Sequence, residues 1–230
     1  MSLTVYENLE QGTEEWLKAR CGVLTASVIG QLVTPKTMKL ANNETSRALV
    51  RTLAAERITS WVEPTFPSRD MERGNWDEPI AREIYETATG NDVQQVGFMT
   101  RTFADYEIGY SPDGLVGDDG LIEIKSRRQK TQLDTILTNT VPAMNMAQLQ
   151  AGLLVSGREW CDYISFCGGM PLFIKRVYPD KRWQSLLVDA ADNFELDVHQ
   201  LIKAFKKNAA NLIPTDRPAH YYPEPEWEMD

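Results

Sequence analysis

Ser111-Pro112-Asp113-Gly114-Leu115-Val116-Gly117-Asp118-Asp119-Gly120-Leu121-Ile122-Glu123-Ile124-Lys125-Ser126 is the stretch on which the fold turns. Apolar and polar residues alternate through Ile122-Glu123-Ile124-Lys125. Side chains in a strand point to alternate faces, so Glu123 and Lys125 share one face and Ile122 and Ile124 the other, apolar one. Gly117-Asp118-Asp119-Gly120 is a hairpin signal between this strand and the one before it. For Asp113 to share a face with Glu123, directly opposed residue numbers must sum to an even number, which requires an odd loop. A three-residue loop, Asp118 to Gly120 with Gly120 left-handed, meets that condition and sets Asp113 opposite Lys125 and diagonal to Glu123.

Two carboxylates and a lysine in this order carry a chemistry. Mg²⁺ takes hard oxygen ligands, commonly one or two carboxylates plus water and a substrate phosphate, and Asp113 and Glu123 offer such a pair. A bound dication polarises a phosphoryl oxygen and lowers the pKa of its water. Lys125 beside them is a point charge that holds the attacking water or stabilises charge building at phosphorus. The same residues also describe an acidic hairpin whose charges are simply solvated, and the motif by itself does not separate the two.

Outward from the hairpin, apolar spacing predicts helices over about 13–20, 25–33, 44–60 and 75–89, the last with Ala81, Ile84, Tyr85 and Ala88 at core positions. Strands are expected near 93–99, 106–111, 114–117 and 120–126, then helices near 129–138 and 143–155, and apolar strands near 160–167 and 172–178. Trp183, Leu186, Leu187, Ala190, Phe194, Val198, Leu201, Ile202 and Phe205 recur at three and four, marking one long helix over about 180–208. The expected class is α/β (α+β), a central mixed β-sheet flanked by helices. We read residues 1–219 as one domain and 220–230, rich in Glu and Pro, as an acidic tail.

At 230 residues the chain suits one compact α/β unit. No apolar run spans a bilayer and the N-terminus lacks a basic-then-apolar leader pattern, so a cytoplasmic location without membrane attachment is expected. Cys21, Cys161 and Cys167 are an odd set and read as inert thiols; with only His199 and His220 available, a zinc cluster has no support. The net charge of −9, from 33 acids and 24 bases, is unusual for a protein that grips duplex DNA. It implies focal contact through metal and a local basic cluster such as Lys36, Lys39, Arg47 and Arg51, which reads equally well as ordinary solvated surface.

Three further blocks join the hairpin: Glu15-Trp16-Leu17-Lys18-Ala19-Arg20 with Cys21-Gly22-Val23-Leu24-Thr25-Ala26-Ser27; Gly74-Asn75-Trp76-Asp77-Glu78 running into Ala81-Arg82; and Met146-Ala147-Gln148-Leu149-Gln150. In this order, over about Glu15 to Gln150, the chain closely resembles the lambda-type phage exonucleases, the YqaJ-like viral recombinase family, which carry a restriction-endonuclease-like core. The resemblance implies that Asp113 and Glu123 bind metal with the main-chain carbonyl of Ile124, that Lys125 is the catalytic lysine, and that Glu78 is an additional active-site acid. It implies that Gln148 closes the site and that Arg20, Ser27 and Ser111 hold a terminal 5′-phosphate. Met71 resembles the family's apolar wedge between strands.

By the same resemblance the expected activity is Mg²⁺-dependent, with Mn²⁺ as a substitute. It is 5′-to-3′ degradation of double-stranded DNA from 5′-phosphorylated ends, releasing 5′-mononucleotides. The 3′ single strand left behind passes to a single-strand annealing protein for recombination, and the enzyme is a processive homotrimeric ring in the cytoplasm of a bacterial host cell. An endonuclease on the same core, or a non-cleaving DNA-end-binding protein, are the alternatives. Each residue also has a plainer role. Arg20 suits a helix C-terminus, Thr25 or Ser27 an N-cap, Glu78 beside Pro79 a first helical turn, Gln148 a helix surface and Met71 a buried core.

Overall fold

The computed structural model describes residues 2–64 and 68–218; the tail expected from residue 220 lies outside the described residues. In chain order they form β1 (Leu3–Tyr6), α1 (Glu14–Arg20), β2 (Leu24–Thr25), α2 (Ala26–Ile29) running into a 3₁₀ turn (Gly30–Leu32), and the hairpin of β3 (Val33–Thr34) and β4 (Lys39–Leu40). Two helices follow, α3 (Glu44–Thr59) and α4 (Arg69–Thr89), then strands β5 (Val93–Gln94), β6 (Phe98–Phe103), β7 (Tyr106–Tyr110), β8 (Gly114–Val116) and β9 (Gly120–Ser126). The chain continues as α5 (Gln129–Thr138), α6 (Ala143–Ser156), β10 (Trp160–Phe166), β11 (Phe173–Val177) and α7 (Lys181–Ala209).

The architecture is mixed α/β, as the spacing predicts, but the single central sheet is two. One has the order β1-β6-β7-β2 and the other β11-β10-β9-β8-β5, each with both parallel and antiparallel neighbours. The strand expected over 93–99 is split between them. Gly97 sits at the crossing, where a Cβ would fall 1.6 Å from the Leu9 carbonyl oxygen, so only glycine lets the two chain segments meet. β7 and β8 are likewise consecutive in sequence and in different sheets, separated by Ser111-Pro112-Asp113.

Helix α6 packs against strands of both sheets and against α2 and α7, burying Ala147, Leu149, Ala151, Leu153 and Val155 in the larger core. On the other face of β9 and β10, α4 sets Ala81 and Tyr85 against Ile122, Ile124, Trp160, Ile164 and Phe166. The stripe expected on α4 is corrected here: Ile84 and Ala88 are exposed, and Arg82 is buried with Ala81 and Tyr85. Polar tips decide this. The Tyr85 hydroxyl donates to the buried Asp162 (2.8 Å), which Arg176 grips through two 2.8 Å bonds while stacking on Trp160. A buried carboxylate held this way is expensive to leave unpaired.

Helix α4 also starts at Arg69 rather than near residue 75, capped by the Ser68 hydroxyl accepting from the Met71 N–H. Its polar first turns hid it from apolar spacing. On α7 the stripe from Trp183 to Val198 is buried, whereas Leu201 and Phe205 run past the core and are exposed. Cys21, Cys161 and Cys167 are free thiols, as expected.

Gly120 is a sharp test of this packing, since a Cβ there would meet the Trp160 ring at 2.2 Å. Gly120→Ala should cost about 1–3 kcal/mol through overpacking, lowering Tm by about 2–4 °C per kcal/mol. Differential scanning calorimetry showing an unchanged Tm would mean that the Trp160 layer is not close-packed.

Candidate active site

The hairpin has the parity the sequence demands and a different register. Gly114 pairs with Ile122, Leu115 with Leu121 and Val116 with Gly120. The loop is therefore Gly117-Asp118-Asp119, and the left-handed glycine is Gly117 (φ 52°), not Gly120. Gly120 is held in the strand because Trp160 covers it. Extended by one residue, this register sets Asp113 opposite Glu123 rather than Lys125. Extended by two, it sets Pro112 opposite Ile124, and proline has no N–H to give to the Ile124 carbonyl. The Ile124 N–H donates instead to Asp113 Oδ2 at 2.6 Å. The ladder is thus broken where two carboxylates converge.

Glu123 is only 1% exposed. Its Oε1 accepts from Lys125 Nζ (2.7 Å) and from Gln148 Nε2 on α6, and its Oε2 from the Tyr110 hydroxyl (3.1 Å). Gln148 therefore faces the cleft and is not part of a plain helix surface. Burial first, and then the charge of Glu123, push the Asp113 carboxyl well above the usual carboxylate range; Lys125 opposes the shift and Glu78 adds to it. Burial alone would pull the Lys125 ammonium down, but Glu123 and Asp113 outweigh it and hold Lys125 above its ordinary value. Tyr110 is pushed far up by burial and then by Glu123, so it stays a neutral donor.

From the opposite wall, Arg82 of α4 donates to Glu78 and, through Nε at 3.1 Å, to the Asp113 carbonyl. Glu78 lies mid-helix rather than in a first turn, and Pro79 follows it inside α4. Asp113, Glu123, Glu78, Lys125, Gln148 and Ile124 all line one cleft of about 320 Å³. Among the described residues no group of three or more His, Cys, Asp or Glu side chains closes around one point as a metal cage. The donor set nevertheless suits a hard dication: two carboxylates, one driven up by burial and then by the other's charge, beside a carbonyl that Pro112 cannot serve. Asp113, Glu123 and the Ile124 carbonyl would hold such an ion, with Glu78 at its side.

Arg20, Ser27 and Ser111 line the same cleft. Arg20 lies on the Trp16 ring at 4.0 Å and donates through Nη2 to Thr25 Oγ1 (3.3 Å) and Ser27 Oγ (3.5 Å), while Trp16 Nε1 donates to Ser111 Oγ at 3.2 Å. Neither hydroxyl acts as a helix cap; Thr25 and Ser27 bond each other at 3.0 Å instead. Helix α2 has four residues, too few for a dipole to help an anion, so any phosphate here is gripped by side chains. Burial lowers the Arg20 pKa while Glu56 raises it. The turn that aims Arg20 is fixed at Gly22 (φ 69°), whose N–H donates to Glu56 and whose carbonyl accepts from Arg57, both at 2.7 Å. Arg57 in turn clamps Glu195 of α7 at 2.6 and 2.7 Å.

Met71 is 55% exposed in the first turn of α4, which excludes the buried-core role. Its neighbours Asp70 and Gly74 line the cleft. In the basic cluster, Arg47 and Arg51 are both paired to Glu44, which leaves that group close to an ordinary solvated surface. Tyr110 is not singled out in the sequence, and Trp16, Thr25 and Arg82 stand in the motif blocks with no place in the cleft assigned to them. Only the cross-sheet pattern could have flagged Tyr110, because it lies in the other sheet from Glu123.

The model of the YqaJ-like viral recombinase domain matches residues 15–159. Among solved structures, the alkaline exonuclease LHK-Exo of Laribacter hongkongensis is 32% identical with a TM-score of 0.77, over 87% of this chain and 100% of that one. The same figures hold for LHK-Exo in complex with dAMP. A phage-related exonuclease from Haemophilus somnus 129PT, 13% identical with a TM-score of 0.59 over 80% of this chain and 96% of that one, shares the fold. Comparison with curated proteins found no match.

Tyr110→Phe removes one of three donors from a buried carboxylate. It should lower unfolding free energy by about 1.5–3 kcal/mol, the range for hydrogen bonds to charged groups, seen as a reduced urea midpoint at constant m. An unchanged midpoint in metal-free protein would show that the hydroxyl does not support Glu123.

Proposed function

The chain belongs to the YqaJ-like viral recombinase family, and on that footing we propose that it is a 5′-to-3′ exonuclease that degrades one strand of double-stranded DNA from a 5′-phosphorylated end. It releases 5′-mononucleotides and leaves a 3′ single strand for a single-strand annealing protein. The observation that carries this reading is one cleft holding both a carboxylate–lysine centre and an arginine–hydroxyl pocket. An endonuclease has no need of a pocket for a terminal phosphate beside the scissile bond. The dAMP complex of LHK-Exo, a deoxynucleoside monophosphate on a relative, supports the proposed product class.

In this mechanism Arg20, Ser27 and Ser111 hold the terminal phosphate, which sets the next phosphodiester over Asp113 and Glu123. Mg²⁺, or Mn²⁺ in its place, supplies Lewis acidity and a water of lowered pKa when bound. Lys125, kept charged by its carboxylate neighbours, stands where it can hold the attacking water and stabilise the charge gathering on the phosphoryl oxygens. Gln148 and Tyr110 keep Glu123 turned into the cleft. Met71, exposed at the approach, serves as the wedge between strands. A homotrimeric ring fits the acidic surface, since a closed ring retains DNA without broad electrostatic attraction. The exposed stripe of Trp76, Ile80 and Ile84 on α4, with Trp76 at 72%, is surface such an assembly can cover.

Asp113→Asn should abolish hydrolysis of linear duplex while DNA-end binding persists, and Lys125→Ala should lower the turnover rate by about 10²–10³ with metal affinity retained in isothermal titration. Near wild-type release of acid-soluble nucleotides by either variant removes that residue from the chemistry. Wild type should prefer 5′-phosphorylated over 5′-hydroxyl ends, and Arg20→Ala should shrink the preference by about 10–100-fold. An undiminished preference sinks the pocket. Light scattering with size-exclusion chromatography tests the ring, and a monomer at micromolar concentration overturns it.

A further inference from the structure

Past Ser126, where β9 leaves the cleft, lies a second cavity of about 620 Å³ lined by Arg73, Arg127, Arg128 and Lys130, with Asp77 as the acid among them. The two recesses share a wall. Ser126 lines the cleft, accepts from Arg73 Nε at 2.9 Å and donates to Asp77. Asp70 also lines the cleft and accepts from Arg73 (3.1 Å) and Arg128 (2.8 Å). Four cations against two acids leave this spot positive in a chain whose net charge is −9.

Arg127 lines this recess at the end of β9. Its Nη2 donates to Asn145 (2.6 Å) and Tyr163 (3.2 Å), yet its Nε is buried and has no acceptor among the described residues. A buried donor without a partner is rare. Helix α5 starts at the same place. Arg128 is its N-cap with no side-chain cap bond. Strand geometry advances about 3.3 Å per residue, placing Arg127 and Arg128 about 7–10 Å beyond Lys125. Arg20 and Ser27 enter the cleft from α1 and α2, whereas Ser126 marks the exit of β9. Duplex DNA advances about 3.4 Å per nucleotide, so this distance is about two to three nucleotides.

We infer that the cavity formed by Arg73, Arg127, Arg128 and Lys130 binds a backbone phosphate of the strand under digestion, about two to three nucleotides to the 3′ side of the scissile bond. The inference rests on the exonuclease reading and deepens it: the terminal phosphate, the scissile phosphate and this downstream phosphate are held along one line. It also assigns the focal DNA contact that so acidic a chain requires, at a place other than the Lys36–Arg51 cluster.

The test uses the full chain, a 5′-phosphorylated duplex and fluorescence anisotropy without divalent cations, so that nothing is cleaved. Arg128→Ala/Lys130→Ala changes exposed side chains and should reduce the slope of log Kd against log salt by about 0.9 for each phosphate that is no longer neutralised. Replacing single phosphates of the digested strand by neutral methylphosphonates should weaken wild-type binding about tenfold at the second or third position, and the double variant less than twofold. Equal penalties in both proteins, or a penalty confined to the complementary strand, overturn the assignment. A wild type that degrades no linear duplex in Mg²⁺ brings down the exonuclease reading itself; one that degrades it but shows equal penalties brings down only this cavity.

Discussion

Burying carboxylate charge is the constraint around which this molecule is arranged. Glu123 and Asp113 face each other at the base of one cleft, and two such groups out of water repel and lose hydration at once. Each is made tolerable by donors from a different part of the chain. Lys125 comes from the same strand, Gln148 from α6, Tyr110 from the other sheet, and the Ile124 N–H from the strand that Pro112 fails to pair. What remains uncompensated is the drive for a hard cation, so the features that make the site costly are those that suit it to metal-assisted hydrolysis.

The two sheets and the two helices between and behind them follow from that arrangement. α6 lies against both sheets with its Gly152 directly beneath Tyr110, where a Cβ would stand 2.7 Å from the ring. α4 seals the other face and carries Arg82, which ties Glu78 to the Asp113 main chain. The long α7 acts at a distance through Glu195, whose grip on Arg57 steadies the Gly22 turn and with it Arg20. Packing and the cleft therefore share residues, and changes at the edge of the core reach the cleft through a few bonds.

Acidity does not prevent this chain from handling a polyanion, because its charges are sorted. Arg47 and Arg51 are spent on Glu44 at the surface. Arg20 is half of a stack on Trp16 inside the cleft, and the cations past Ser126 gather on one side of it. Local fields decide phosphate binding, and net charge sets only how strongly DNA is drawn from afar.

Alternation in Ile122-Glu123-Ile124-Lys125, three- and four-residue spacing in α3, α5, α6 and α7, and the order of the four motif blocks were legible from the sequence, because each rests on contacts within one element. So were the even parity of the hairpin and the gathering of Asp113, Glu123 and Lys125 at one cleft. The actual register was not, since it depends on Trp160 lying over Gly120 from a strand forty residues away. The division into two sheets was hidden as well, because it turns on a missing Cβ at Gly97 and a missing N–H at Pro112. The early start of α4, with no apolar stripe in its first turns, left no periodic trace. The meeting of Tyr110, Gln148 and Arg82 around the carboxylates came only with the tertiary structure: side chains far apart in sequence are brought together by packing, and periodicity along a chain contains no information about distance across it.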